Sequence, residues 1–296
     1  MTKLLFGKPI VDEMKATQQL RARKLAETGT QPTLSIIRVG RREDDLAYEG
    51  RVVRAASGVG VCVLVAELPA DVSQSTLLSV IESSNADSGV HGILLFRPLP
   101  SGLDEDAALD RIAAAKDVDG ASAVSMVNLY AEKKINLESA DFFLPCTAEA
   151  ALRILKYYEV PIVGKKAVVI GRSTVIGKPV SMLLLSENAT VTIAHSRSEG
   201  LADLAAAADI LIACAGMSVR GADGKLRGGV GEEYLSPNQT VIDVGIHVDD
   251  EGNLFGDVDR EAADGLVSAL TPVPGGLGAV TTQILLDHVI TAAERI

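Results

Sequence analysis

The sequence predicts an α/β protein built from two α/β domains. Short runs rich in β-branched residues alternate with helical patterns, which is typical of βαβ units with a parallel sheet. A length of 296 residues exceeds what a single hydrophobic core usually organises, so two domains are expected. The alternation is interrupted at Lys116–Pro145, which shows no regular pattern, and we predict that the two domains join near Pro145.

The first half is predicted to contain three strands and three helices. The strands are the apolar, β-branched runs Thr33–Val39, Gly60–Ala66 and Gly92–Leu95. The helices are expected at Asp44–Ser57, Ser73–Ser84 and Asp104–Ala115. Each of them begins with an Asp or a Ser, residue types that cap helix N-termini.

The alternation resumes after Pro145. Helices are predicted at Thr147–Tyr158, Lys178–Glu187 and Leu201–Ala207, and strands at Lys166–Ile170, Thr190–Ala194, Ile210–Ala213 and Thr240–Val244. A glycine-rich turn then precedes a last helix, Thr281–Ile296, which we expect to pack back on the first domain. This predicts a first domain of residues 1–145 with the returning helix at 279–296, and a second domain of residues 146–278.

Composition and charge exclude several classes of function. The net charge of −11 disfavours a nucleic-acid or membrane surface as the main partner, and the absence of Trp argues against a base-stacking platform. The three cysteines are far apart and the four histidines are widely spaced, so we expect reduced thiols and no metal site. Without an apolar leader or a membrane-length apolar stretch, the protein is expected in the cytoplasm.

The strongest local signal is the loop between Gly171 and Gly177. An apolar strand runs into Gly171, five residues follow, and Gly177 opens the next helix, an arrangement that offers backbone N–H groups to a phosphate. The spacing differs from both G-x-G-x-x-G and the Walker A loop, so on spacing alone a turn without a ligand is an equal alternative. Arg172 and Ser173 in the loop favour phosphate binding.

The end of the following strand indicates which dinucleotide would bind. A dinucleotide-binding fold usually places an acidic residue there, on the ribose 2′-hydroxyl. This sequence has Ser196 and Arg197 instead, which suit a 2′-phosphate. We therefore predict that the second domain is Rossmann-like and binds NADP in preference to NAD.

Further motifs occur in order along the chain. In the first half they are Val39-Gly40, Tyr48, Pro98-Leu-Pro, Lys116-Asp-Val-Asp-Gly and Leu144-Pro-Cys-Thr; in the second half they are Gly171-Arg-Ser-Thr-Val-Ile-Gly-Lys-Pro, Val241-Ile-Asp-Val-Gly-Ile, Gly256-Asp-Val-Asp and Thr271-Pro-Val-Pro-Gly-Gly-Leu-Gly. Together they resemble the bifunctional methylenetetrahydrofolate dehydrogenase/methenyltetrahydrofolate cyclohydrolase family. The resemblance implies a homodimer that binds NADP in its second domain and a tetrahydrofolate one-carbon derivative in the cleft between a first, folate domain and the second.

The resemblance also implies roles for individual residues. Catalytic roles fall on Tyr48 and Asp119, and substrate-binding roles fall on Tyr48, Phe96, Asp119, Pro274, Gly275 and Gly276. Cofactor contacts fall on Gly171, Arg172, Ser173, Gly177, Ser196, Arg197 and Ile246. Without the resemblance, we interpret Tyr48 as a core residue on an apolar helix face and Asp119 as a turn residue.

Two of the departures from the family pattern bear directly on the chemistry. Val52 stands where the family has a lysine that handles proton transfer, and Phe96 stands where it has a glutamine. Valine cannot exchange a proton, whereas hydride transfer depends on the nicotinamide itself, so we expect a dehydrogenase with little cyclohydrolase activity. Two alternatives stay open: a paralogue in which Val52, Phe96 and Arg97 line a pocket for another substrate, and a non-catalytic dinucleotide-binding protein.

Overall fold

The structure is a computed structural model that describes residues 1–137 and 140–295. The helices of these residues are α1 (Lys8–Glu27), α2 (Glu43–Val59), α3 (Gln74–Ala86), α4 (Glu105–Leu109), α5 (Ala123–Ala131), α6 (Cys146–Tyr157), α7 (Gly177–Ser186), α8 (Leu201–Ala206), α9 (Arg260–Ala263) and α10 (Leu277–Glu294). The strands are β1 (Lys3–Leu4), β2 (Thr33–Val39), β3 (Cys62–Leu68), β4 (Gly92–Leu95), β5 (Lys166–Ile170), β6 (Thr190–Ala194), β7 (Ile210–Ala213), β8 (Ser218–Arg220), β9 (Leu226–Gly228), β10 (Thr240–Asp243), β11 (His247–Val248), β12 (Leu254–Phe255) and β13 (Ala269–Leu270).

The chain divides into two compact units. The three-strand unit comprises Asp12–Ala131, Ser139–Cys146 and Thr282–Ile296, and its sheet has the order β3-β2-β4. The six-strand unit comprises Met1–Val11, Glu132–Glu138 and Thr147–Thr281, and its main sheet has the order β1-β13-β10-β7-β5-β6. The prediction of two α/β domains, the second with a Rossmann-like parallel sheet, is confirmed. The exact domain limits inferred from the sequence stay a proposal.

The three-strand unit is organised around β2. This strand pairs in parallel with β3 on one side and β4 on the other, and all seven of its residues are buried. A central parallel strand is covered on both faces, and four of its seven residues are the apolar Leu34, Ile36, Ile37 and Val39. Leu77 and Ile81 of α3 pack in the same core cluster as Ile37. The predicted bounds of β2 and β4 are confirmed, and β3 begins two residues later than predicted.

The six-strand unit is a parallel sheet whose strand order reverses at β5. From β5 the chain passes to β6 on one side and then crosses to β7 and β10 on the other. Open α/β sheets bind their ligands outside the carboxyl ends of the strands at such a reversal. The loop that begins at Gly171 leaves β5 at this point.

The C-terminal helix returns to the first helix of the chain, as predicted. Nε2 of Gln18 on α1 donates to the backbone oxygen of Gln283 on α10, at 3.0 Å. Arg21 of α1 pairs with Asp287 at 2.8 Å and with Glu294 at 2.6 Å. The predicted helix starts at Thr281, whereas α10 begins at Leu277, and the predicted last residue, Ile296, lies outside the described residues.

Strand β1 differs from the assignment of residues 1–145 to the first domain. Lys3 and Leu4 pair in parallel with Ala269 and Leu270 of β13, so β1 forms an edge of the six-strand sheet. The side chain of the next residue, Leu5, is 1% exposed. Burial of this side chain and the pairing with β13 tie the N-terminus to the six-strand unit.

Three further differences concern helices. The sequence did not predict α1, and the predicted helix at Asp104–Ala115 is instead the short α4 followed by a 3-10 turn at Ala114–Lys116. The predicted irregular segment Lys116–Pro145 contains helix α5, although its residues 138 and 139 lie outside the described part. The buried carboxylate of Asp117 accepts hydrogen bonds from backbone N–H groups just before α5 and so stabilises the start of this helix. The Ser- and Val-rich sequence of α5 has low helix propensity, so the sequence pattern did not predict it.

In the part of the chain that the structure describes, no helix has the length and apolar character needed to cross a membrane.

Candidate functional site

The loop after β5 depends on two glycines. Gly171 has a φ of 140°, and a Cβ at this position would overlap the backbone oxygen of Cys214. A Cβ on Gly177 would overlap the backbone oxygen of Gly171, so the start of α7 lies directly against the end of β5. Any other residue at either position would push the loop away from the strand. The predicted glycine pair therefore forms a tight turn into a helix N-terminus.

Two further predicted residues lie in this loop. Arg172 and Ser173 are both exposed at the carboxyl end of β5. The Ser173 hydroxyl accepts from the backbone N–H of Ile176 at 3.2 Å and from that of Gly177 at 3.4 Å. Ser173 therefore orders the loop, while the exposed Arg172 guanidinium is available to an anion at the helix N-terminus.

The turn after β6 presents Ser196 and Arg197 to solvent. The backbone N–H of Arg197 donates to Nδ1 of His195 at 3.2 Å, and the backbone N–H of His195 donates to the Ser198 hydroxyl at 3.0 Å. These two bonds hold the turn in place, which gives His195 a structural role. Ser196 and Arg197 place a hydroxyl and a guanidinium where a dinucleotide-binding fold usually has an acidic residue, so the turn suits a phosphate on the ribose.

The other predicted residues of the six-strand unit follow β10 and β13. Ile246 is 66% exposed in the loop after β10. Pro274, Gly275 and Gly276 lie in the turn between β13 and α10, where Pro274 follows a cis peptide bond. The fold therefore brings the predicted cofactor residues to the carboxyl edge of one sheet. Their roles there stay predictions.

Sequence reasoning assigned no role to two buried carboxylates at the same edge. Asp243 ends β10 and accepts backbone N–H groups from Gly245 at 3.0 Å, Asp257 at 2.9 Å and Val258 at 3.0 Å. Asp257 in turn accepts the backbone N–H groups of Ala215 at 2.7 Å and Gly216 at 3.0 Å. Both aspartates lie in motifs that carry the resemblance. Asp243 is the last residue of β10 and Asp257 follows β12 and Gly256, and these positions at strand ends were the signal available in the sequence.

Burial governs the ionisation of this cluster. It raises the pKa of Asp243 to about 7, although the backbone N–H donors act in the opposite direction. Burial, and then the nearby Asp257 carboxylate, raises the pKa of Cys214 to about 12. Cys214 is therefore a neutral thiol at physiological pH and does not supply a nucleophile.

In the three-strand unit, the predicted residues Tyr48 and Phe96 lie together. Their ring centroids are 5.4 Å apart with the planes tilted by 34°. The guanidinium of Arg51 lies over the Tyr48 ring, 5.6 Å from its centroid. Phe96 is 5% exposed, so it serves as an apolar wall behind the half-buried tyrosine.

Asp119 is held by an ion pair that the sequence did not predict. Nη2 of Arg97 lies 2.9 Å from Oδ2 of Asp119, and Cys146 also hydrogen-bonds this carboxylate. Burial raises the pKa of Asp119, and the positive charge of Arg97 opposes that rise. The aspartate is therefore neutralised by a side chain of the protein.

Val52 shares a helix face with Tyr48 and is fully buried. Burial and the charge of Asp119 raise the pKa of Tyr48, while the positive charge of Arg51 and a hydrogen bond with Thr282 lower it less. Tyr48 is therefore protonated at neutral pH and can donate a hydrogen bond but cannot act as a base. Neither side chain offers the proton transfer that a lysine at position 52 would supply.

Comparison with known proteins identifies two matching family models. Residues 5–119 match the catalytic domain of tetrahydrofolate dehydrogenase/cyclohydrolase. Residues 145–296 match the NAD(P)-binding domain of the same family. Together the two matches cover most of the chain. The first contains the strands of the three-strand sheet, and the second contains strands β5 to β13.

Individual relatives match over the whole length. The chain is 45% identical to the bifunctional protein FolD of Alkaliphilus oremlandii over 295 residues, which is 99% of this chain and 98% of the relative. The crystal structure of the bifunctional enzyme FolD from Campylobacter jejuni is 32% identical with a TM-score of 0.91, over 100% of this chain and 99% of that one. The Trypanosoma brucei FolD structure, complexed with NADP and an inhibitor, is 32% identical with a TM-score of 0.90, over 99% and 98% of the two chains.

Proposed function

Because the chain belongs to the tetrahydrofolate dehydrogenase/cyclohydrolase family, we propose that it oxidises 5,10-methylenetetrahydrofolate to methenyltetrahydrofolate with NADP. The observation that carries this proposal is the set of polar groups at the carboxyl edge of the six-strand sheet. The loop after β5, the N-terminus of α7 and the turn after β6 lie where an open α/β sheet binds a dinucleotide. When bound, NADP accepts the hydride, and the protein supplies binding and orientation.

Two parts of NADP would bind at two strand ends, the pyrophosphate at the end of β5 and the 2′-phosphate at the end of β6. The backbone of the Gly171–Gly177 loop and the start of α7 would take the pyrophosphate, because helix N-termini favour anions. Ser196 and Arg197 would take the 2′-phosphate, with Arg172 facing the same anionic ligand. Ser196 and Arg197, in place of an acidic residue at the end of β6, support NADP over NAD.

We propose further that the cyclohydrolase step is slow in this protein. Water attack on methenyltetrahydrofolate needs a group that removes a proton, and Val52 cannot do so. Tyr48 stays protonated, and the Asp119 carboxylate is already paired with Arg97. Arg51 also stays protonated in proteins, so it is a poor base. Tyr48 is left with the role of a hydrogen-bond donor that orients the substrate.

One observation favours a second candidate, a paralogue that acts on another substrate. The family pattern has a glutamine at position 96. This chain has the Phe96 ring there, next to the Arg97–Asp119 ion pair, and so presents a different surface to a ligand. A ligand that uses Asp119 would have to displace Arg97. A ligand that carries its own anionic or carbonyl group could instead bind the guanidinium.

The test is the reduction of NADP with 5,10-methylenetetrahydrofolate as substrate, monitored through the absorbance of the NADPH that forms. Reduction above the rate without enzyme supports the proposal, and a parallel assay of methenyltetrahydrofolate hydrolysis measures the second step. Binding of NADPH without any reduction would favour the altered substrate. Binding of NADPH that no small substrate affects would favour the non-catalytic alternative.

The resemblance implies a homodimer, and the sequence itself led us to expect the protein in the cytoplasm. Both stay predictions. Sedimentation equilibrium of the purified chain tests the first of them.

A further inference from the structure

The loops that follow β7 and β10 are held by one buried side chain. Oδ2 of Asp257 accepts the backbone N–H groups of Ala215 and Gly216, which follow β7, at 2.7 and 3.0 Å. Oδ1 of Asp257 lies 2.8 Å from Nε2 of His247, which follows the loop after β10. Since a carboxylate only accepts hydrogen bonds, His247 donates through Nε2. Asp257 is 0% exposed, so it acts through these loops and touches no ligand.

A second carboxylate holds Asp257 itself in place. Asp243, at the end of β10, accepts the backbone N–H groups of Asp257 and Val258 at 2.9 and 3.0 Å. A Cβ on Gly245 would overlap the Asp257 carboxyl group, so the loop after β10 lies directly against it. His247 is also fixed from its other face, by stacking on Phe255 with ring centroids 5.0 Å apart. The geometry of both loops is therefore set before any ligand binds.

The strand order indicates which part of a dinucleotide these loops face. Ser196 and Arg197 follow β6, on one side of β5, whereas β7 and β10 lie on the other side. A dinucleotide with its pyrophosphate at the β5 loop and its 2′-phosphate at the β6 turn must extend over the ends of β7 and β10. The end that lies there is the nicotinamide half.

We propose that Asp257 is a positioning residue for the nicotinamide half of NADP. It holds the backbone at Ala215 and Gly216 and the ring of His247, and the exposed Ile246 directly precedes His247 in the chain. The adenosine half, at the ends of β5 and β6, does not depend on it. This inference rests on the proposed binding of NADP. Preorganised loops bind more tightly because less freedom is lost on association.

The experiment compares two ligands on the full chain by titration calorimetry. NADP carries both halves, whereas adenosine 2′,5′-bisphosphate carries only the half assigned to β5 and β6. In Asp257→Ala we expect the Kd of NADP to rise about tenfold or more, because the backbone N–H groups of Ala215 and Gly216 lose the acceptor that orders their loop. We expect the Kd of the bisphosphate to stay within about twofold, since no group that binds it has lost a hydrogen-bond partner.

Asp259→Ala is the matched control. Asp259 is two residues away and also accepts two backbone N–H groups, those of Glu261 and Ala262 at the start of α9. The Asp259→Ala variant therefore loses two comparable hydrogen bonds in the same unit, while the hydrogen bonds of the loops after β7 and β10 stay intact. Both ligands should bind this variant as they bind the wild type. Asp257→Asn is the conservative variant, and we expect it to restore most of the NADP affinity because the amide oxygen can still accept from Ala215 and Gly216.

His247→Ala keeps the test decisive if Asp257→Ala does not fold. The His247 side chain is 18% exposed, and its loss leaves the bonds to Ala215 and Gly216 intact. We expect a rise of about threefold in the Kd of NADP and no change for the bisphosphate. Equal weakening of both ligands, or no weakening of NADP in either variant, would overturn the inference. Failure of the wild type to bind either ligand would instead refute the NADP assignment, and the inference with it.

Discussion

Nη2 of Arg97 lies 2.9 Å from Oδ2 of Asp119. The two residues are 22 positions apart, and their side chains are only 17% and 25% exposed. The pair places a positive charge next to the carboxylate that the family resemblance assigns to catalysis. The charge at this position is therefore set by Arg97 and Asp119 together.

Removing Arg97 should make stability depend more strongly on pH. Burial already raises the pKa of Asp119, and Arg97 opposes the rise, so Arg97→Leu should raise that pKa further. A native carboxyl with a raised pKa stabilises the fold fully below the unfolded pKa of about 3.9, and the contribution is lost as pH rises through the native pKa. We expect a loss of about 1–2 kcal/mol near neutral pH and a smaller loss near pH 3.5, measured by urea unfolding.

Arg111→Leu is the control for this change. Arg111 pairs with Glu82 at 2.9 Å, but the two side chains are 50% and 55% exposed. Such a surface pair contributes about 0–1 kcal/mol, and neither partner has a buried charge to leave behind. An equal loss of stability in Arg97→Leu at both pH values would show that lost packing, and not the charge of Asp119, causes the effect.

Cofactor preference should depend on two exposed arginines. Replacing both Arg172 and Arg197 by Ala should raise the Kd of NADP by about tenfold or more and leave that of NAD within about twofold, because only NADP carries the 2′-phosphate. The measurement is the change in fluorescence of NADPH and of NADH on titration with the protein. Arg220→Ala, which removes an exposed arginine paired with Asp250 in the same unit, should change neither affinity. Equal binding of NAD and NADP by the wild type would contradict the assignment.

Cyclohydrolase activity should return only when two positions change together. The wild type should hydrolyse methenyltetrahydrofolate near the background rate, and Val52→Lys alone should not restore it because Phe96 cannot orient the new amine. Val52→Lys with Phe96→Gln should raise the rate by about 10² to 10⁴, the usual contribution of general acid–base catalysis. The measurement is loss of methenyltetrahydrofolate absorbance over the rate in buffer.

The neighbouring residue offers a matched control for the double variant. Val53 is 40% exposed and lies on a different face of α2, so Val53→Lys with Phe96→Gln should leave the rate at background. A wild-type rate well above buffer that survives both Arg51→Ala and Arg54→Ala would mean that another group has taken the lysine's role. It would also remove the reason for calling the step slow.

The N-terminal residues should contribute to the stability of the six-strand unit. Leu5 is 1% exposed beside the β1–β13 pair, so Leu5→Ala should lower the free energy of unfolding by about 2–5 kcal/mol. The adjacent Phe6 is 46% exposed, and Phe6→Ala should cost less than about 1 kcal/mol. Guanidinium unfolding followed by circular dichroism measures both. Equal effects would mean that β1 is not an anchored edge strand.

The sequence by itself determined the strands that form the middle of each sheet. Strands β2, β5 and β7 have the predicted bounds because a parallel strand covered on both faces is rich in apolar residues, and local turn residues delimit it. The loop from Gly171 to Gly177 could also be predicted, because a tight strand-to-helix turn requires glycines at fixed positions nearby in the sequence.

Only the tertiary structure decided the contacts between distant segments. Strand β1 has two residues and acquires its role from a partner more than 260 positions away, so no local pattern marks it. The same holds for Arg97 with Asp119, and for Asp257 with the backbone of Ala215 and Gly216. Periodicity and turn chemistry act within a few residues of the chain, whereas an ion pair or a buried acceptor exists only after packing has brought its partners together and excluded water from them.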